Sequence, residues 1–165
     1  MASAKSVILG QLQTGEYLME KFTADLTDDE YFTKPLEGAN HTAWILLHLA
    51  CSEDWAVSKI QGTGPRIEAS MHELVKGGSP CQADRSGYPA RRKIDELFRD
   101  TRAATVEAIK MFDEARWDDP APDDYPKDFF PTIGSLWGMQ ATHQFWHIGQ
   151  LCVCRAAMKK KPVLF

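Results

Sequence analysis

The stretch from Thr132 to about Met158 carries Leu136, Met139, His143, His147, Gln150, Leu151 and Cys154 at three- and four-residue spacing. That is the period of an α-helix with one buried face. The face is apolar at both ends and polar at its middle, where His143, His147 and Gln150 fall. A helical core accepts polar side chains at one level only if they satisfy one another. No stretch of the chain alternates with the strand period of two, which makes the fold all-α and puts the polar level where helices meet.

Residues four apart on a helix lie about 40° apart on one face, so the imidazoles of His143 and His147 can converge on one point. Two such rings are part of a metal clamp. The H-E-x-x-H pattern of zinc proteases has a glutamate after the first histidine, which takes a proton from metal-activated water. Gln144 stands there instead, an amide that cannot act as a base, and this excludes the protease pattern. The candidate third ligand is His48, inside the apolar run Ala43-Trp44-Ile45-Leu46-Leu47-His48-Leu49-Ala50. Taken alone, a histidine on such a face reads as a hydrogen-bonded core residue. Taken together, His48, His143 and His147 would otherwise each need buried partners for two ring nitrogens, and a shared cation meets that need. His41, one heptad before His48, lies about 10 Å along the axis and is a reserve ligand or pocket-mouth residue. Gln150, one heptad after His143, reads as a residue that supports a ligand or packs the helix.

The remaining helices follow from the same periodicity. A first helix from about Ala4 to Phe22 presents Ile8, Leu12, Gly15, Met19 and Phe22, with Glu16 read as a rim carboxylate. Thr27 and Glu30 form a capping box for a short turn bearing Tyr31 and Phe32, stopped by Pro35 and Gly38. Asn40 is read as the N-cap of a second helix, from His41 to about Ile60, with Trp44, Leu47, His48, Cys51 and Trp55 on one side. A third helix is read over Ile94 to Ala115, with Phe98, Thr101, Thr105, Ala108, Met111 and Phe112 inward and its charged residues outward. The fourth is the stretch from Thr132 to Met158, where Gly134 and Gly138 suggest close backbone approach.

Between the second and third helices, Gln61 to Pro89 is rich in Gly, Pro and Ser, with one weak helical turn around Ile67 to Val75. So long a connection crosses a fold or covers a site, and it is long enough to let the helices on either side run parallel. His72 falls in it and is expected to be exposed. A second loop, Trp117 to Pro131, carries Tyr125, Phe129 and Phe130, which line a pocket mouth or pin the loop to the bundle.

At 165 residues the chain is read as one domain, 1–165, able to bury a core without staples. A net charge of −4 and a single basic run, Lys159-Lys160-Lys161, give no nucleic-acid footprint. No apolar run reaches the roughly 20 residues of a membrane span and no signal-peptide block opens the sequence, so the expected location is the cytoplasm. Cys51, Cys81, Cys152 and Cys154 fit that location as reduced thiols, with Cys51 a small core residue.

The patterns Asn40-x-x-x-Trp44-x-x-x-His48-Leu49 and His143-x-x-x-His147-x-Gly149-Gln150, in that order around a loop-rich middle, resemble the DinB superfamily over nearly the whole chain. The resemblance implies a four-helix bundle of up-down-down-up connectivity, a divalent metal on His48, His143 and His147, and a homodimer. Characterised members include transferases and isomerases that use bacillithiol or mycothiol. Three imidazoles leave coordination positions open, a catalytic rather than structural pattern. They suit zinc or nickel, with iron and copper also compatible. The expected chemistry is metal activation of a low-molecular-weight thiol against a small-molecule electrophile; the alternatives are hydrolysis by metal-activated water and a non-enzymatic, metal-binding stress-response module. Ferritin-type oxygen chemistry is disfavoured because no Glu-x-x-His occurs.

Overall fold

A computed structural model describes residues 3–163, and all regular structure among them is helical apart from one isolated bridge between Pro120 and Thr132. The α-helices are α1 (Ala4–Thr23), α2 (Asp28–Tyr31), α3 (Thr42–Gln61), α4 (Ala69–Val75), α5 (Arg91–Met111) and α6 (Ile133–Ala157). α1, α3, α5 and α6 are the four long helices read from the sequence; α2 and α4 are the two short turns.

Cross-helix hydrogen bonds give their directions. Arg91 reaches Thr23 O, Arg102 reaches Leu12 O and Lys5 reaches Phe112 O, so α1 and α5 are antiparallel. Gln144 bonds Gln11 O and Arg155 bonds Phe22 O, so α1 and α6 run parallel. α6 runs against α3, since Cys154 lies on Asn40 O while His143 meets His48. Connectivity is therefore up-down-down-up, and the segment between α3 and α5 is the crossover that returns the chain to the same end.

Local chemistry sets the helix ends. The Thr27–Glu30 capping box is present at α2, and Thr132 with Ser135 forms a second at α6. α3 begins on His41 rather than Asn40, because the His41 Nδ1 accepts from Trp44 N at 3.0 Å and takes the cap role itself. Gly62, at φ 69°, closes α3 in the left-handed conformation that favours glycine. α5 stops four residues short of Ala115: Phe112 turns extended, and Met111, expected inward, is 77% exposed.

One charged residue expected outside is inside. Arg102 of α5 is 1% exposed and binds Glu53 of α3 with both its Nε and Nη2. Its Nη1 donates to Leu12 O at 3.0 Å and Gln144 Oε1 at 2.6 Å, which ties all four long helices at one level. Burial pushes the Glu53 carboxyl above its ordinary range, against the pull of Arg102. Gly15 admits Gln144 to this level, since a Cβ there would lie 1.9 Å from Gln144 Cδ. Gly134 likewise meets Trp117, whereas Gly138 has open space.

Candidate metal centre

The buried face of α6 runs through Trp137, Gln140, Ala141, Gln144, Ile148 and Leu151, with Met139 and His143 half-buried beside it. His143 and His147 thus project from the edge of the face that meets α3. The α3 helix brings His48 to the same place. Its ring stacks on Trp44, one turn earlier, at 4.7 Å and 16° between planes, which holds the imidazole's orientation. One ring nitrogen from each of His48, His143 and His147 lies within 4.8 Å of the others, so the sequence's three candidates do meet.

The atoms that converge are the Nε2 nitrogens. His143 Nε2 is 3.2 Å from His48 Nε2 and 3.1 Å from His147 Nε2. A carbonyl or amide oxygen only accepts. His48 Nδ1–H therefore donates to Val75 O at 2.6 Å, and His147 Nδ1–H donates to Gln150 Oε1 at 3.0 Å. Both donations leave the inward Nε2 lone pairs bare, the tautomer that metal-ligating histidines need. Tetrahedral ligands at 2.0–2.1 Å from a zinc-sized ion would be about 3.3 Å apart, close to the separations observed. His143 Nδ1 is buried with no partner, so no outer hydrogen bond sets that ring's tautomer.

Desolvation keeps the cluster neutral. Burial first, then the neighbouring histidines, lower His143 to about 3, and burial followed by His48 lowers His147 to about 4. His48 is lowered by burial, opposed by its bond to Val75. Neutral imidazoles with converging lone pairs are a donor set that could hold a divalent metal.

Other sequence candidates lie elsewhere. His41 is buried against Tyr88 and spent on the α3 cap, so it serves neither as reserve ligand nor as a pocket-mouth residue. Gln144 points away from the histidines toward Arg102 and Gly15. Glu53, a carboxylate on the same helix as His48, is committed to Arg102. Gln150 is exposed yet supports His147, as its heptad spacing suggested. Cys51 is buried, and its thiol is pushed up to about 12 by burial and the nearby Asp54, so it is no thiolate nucleophile. The residues missed by sequence reasoning are Val75, whose carbonyl sets the His48 tautomer, and Asp54, buried and bonded to His72. A carbonyl has no sequence signature, and Asp54 resembles any helical aspartate.

The chain matches the DinB superfamily over residues 11–151 and belongs to it. No curated protein matches the chain. Among solved structures it is similar to a conserved protein from Enterococcus faecalis, at 14% identity and a TM-score of 0.77, covering 97% of this chain and 100% of that one. At that identity the likeness is one of fold.

Proposed function

We propose that the protein is a metal-dependent transferase that conjugates a low-molecular-weight thiol to a small-molecule electrophile, with His48, His143 and His147 as ligands to zinc or nickel. The observation that carries this is the convergence of three Nε2 atoms whose outer nitrogens, on His48 and His147, are fixed by acceptors. No fourth His, Cys, Asp or Glu joins the cluster among the described residues, which leaves room for an exogenous ligand. An ion held there supplies Lewis acidity that favours the thiolate form of an added thiol. The protein's part is to orient His48 through Trp44 and Val75 and His147 through Gln150, and to keep water sparse around the cluster by burial. Hydrolysis is less well served: no carboxylate joins the cluster among the described residues, Gln144 is an amide turned away, and Glu53 is locked in an ion pair with Arg102.

The four free cysteines fit a reducing compartment, and no helix among the described residues is long and apolar enough to cross a membrane. The homodimer that the family resemblance implies has a fitting surface on the outer side of α6, where Trp146 is 66% and Val153 46% exposed.

The experiment is thiol consumption with monochlorobimane, screened over several cofactor thiols, in wild type and His147→Ala. Turnover lost in the variant supports the transferase. No turnover with any thiol contradicts it.

A further inference from the structure

A cavity of about 310 Å³ touches the three-histidine centre at His48, which stands in its wall together with Cys51, Trp55, His72, Val75 and Tyr125. Along α3, His48, Cys51 and Trp55 are successive residues of one face, so the cavity extends about 10 Å from His48 toward Trp55. His72 stands at that far end, its ring 6.1 Å from the Trp55 ring. Expected in solvent, its side chain is 17% exposed, because α4 folds back over α3. The loop that supplies Tyr125 is held on α3 by Lys59, which pairs with Asp124 at 2.8 Å and lies over the Trp55 ring.

His72 is held in a defined way. Its Nε2 lies 3.2 Å from Asp54 Oδ2, and a carboxylate accepts, so Nε2 carries a proton. Asp54 is buried and itself fixed by the backbone N–H groups of Arg66 and Ile67, at 3.0 to 3.1 Å. His72 Nδ1 has no partner among the described residues. An imidazole anchored on a buried carboxylate at one nitrogen and free at the other is a preset hydrogen-bonding and proton-carrying group.

We propose that this cavity binds the far end of a ligand whose near end reaches the three-histidine centre, and that His72, as the imidazolium paired with Asp54, donates from Nδ1 to an acceptor oxygen on that ligand. The ligand class is a small molecule with a metal-binding sulfur at one end and a carboxylate or carbonyl oxygen at the other, separated by an apolar segment that lies along Trp55 and Tyr125. This rests on the metal-centre reading of His48, His143 and His147.

The test uses cobalt(II)-loaded full-length protein and two probes, 4-mercaptobenzoate and benzenethiol, which differ by the carboxylate. Binding is read from the sulfur-to-cobalt charge-transfer band. Wild type is expected to prefer 4-mercaptobenzoate by about 10-fold or more, the effect of one charge-assisted hydrogen bond. His72→Gln and Asp54→Asn are expected to lose most of that preference while keeping the cobalt d–d spectrum and the affinity for benzenethiol. Equal affinities in wild type, a measurement that needs no variant, overturn the assignment of His72 and leave the metal centre standing. So does a preference retained in His72→Gln. Absence of cobalt d–d bands in wild type overturns the metal centre and this proposal together, and d–d bands without charge transfer from either thiol overturn the proposal by showing that the probes do not reach the ion.

Discussion

His48 donates from Nδ1 to the carbonyl oxygen of Val75 at 2.6 Å, which ties a residue of α3 to the last turn of α4, 27 positions later in the chain. The bond turns the bare Nε2 of His48 toward His143 and His147. On α6 the same service is done by Gln150 for His147.

Removing Gln150's acceptor tests this support directly. Gln150→Ala is expected to weaken metal affinity about 10- to 100-fold, the usual cost of losing such a partner, with little change in thermal stability. Because Gln150 is exposed, the variant leaves the core alone. Competition with a chelator of known affinity measures the change; an unaltered affinity contradicts the role given to Gln150.

The level of Arg102, Glu53 and Gln144 is expected to be structural and costly to disturb. Arg102→Met strands the buried Glu53 carboxylate, at a cost of about 3 to 5 kcal/mol in urea denaturation. Gly15→Ala places a Cβ on Gln144 and is expected to cost about 1 to 3 kcal/mol. A neutral result at Gly15 would mean that α1 and α6 are not in close contact there.

Acid is expected to destabilise the metal-free protein through its buried neutral histidines. His41 and His147 are lowered to about 4 and His143 to about 3, with burial the leading cause in each, while the unfolded chain's histidines titrate near 6.5. Between those values the unfolded state binds more protons, so stability falls as pH drops from about 6.5 toward 4 and is present in full above 6.5. Urea midpoints at pH 7.5, 6 and 5 should decrease in that order. Equal midpoints would show that these rings are not held neutral.

Much of the architecture is legible in the residue pattern, and the exceptions have physical causes. The long helices follow from three- and four-residue apolar spacing, and the Thr27 capping box from its two residues. Histidines at 48, 143 and 147 could be grouped because three buried imidazoles need a common partner. Spacing alone puts Arg102 outside because it records side-chain type, whereas the residue's burial depends on Glu53 and Gln144 from two other helices. His72 reads as solvent-exposed for a similar reason: its partner Asp54 lies 18 residues away on another helix. Asn40 lost the cap to His41 because a histidine Nδ1 can accept the same backbone proton.

If the outer face of α6 joins two copies, Trp146→Glu is expected to yield a monomer with unchanged helicity. Light scattering on both proteins decides it. A wild-type monomer, or a variant that remains dimeric, contradicts the assignment.

The central claim is that three imidazoles from α3 and α6 share one cation. Its most direct test is metal stoichiometry by elemental analysis of untagged protein, compared with His48→Ala and His147→Ala at matched circular dichroism. One divalent ion per chain in wild type, lost in both variants, is the predicted result. A metal content near zero in wild type after exposure to zinc and nickel, or one retained in either variant, would contradict it.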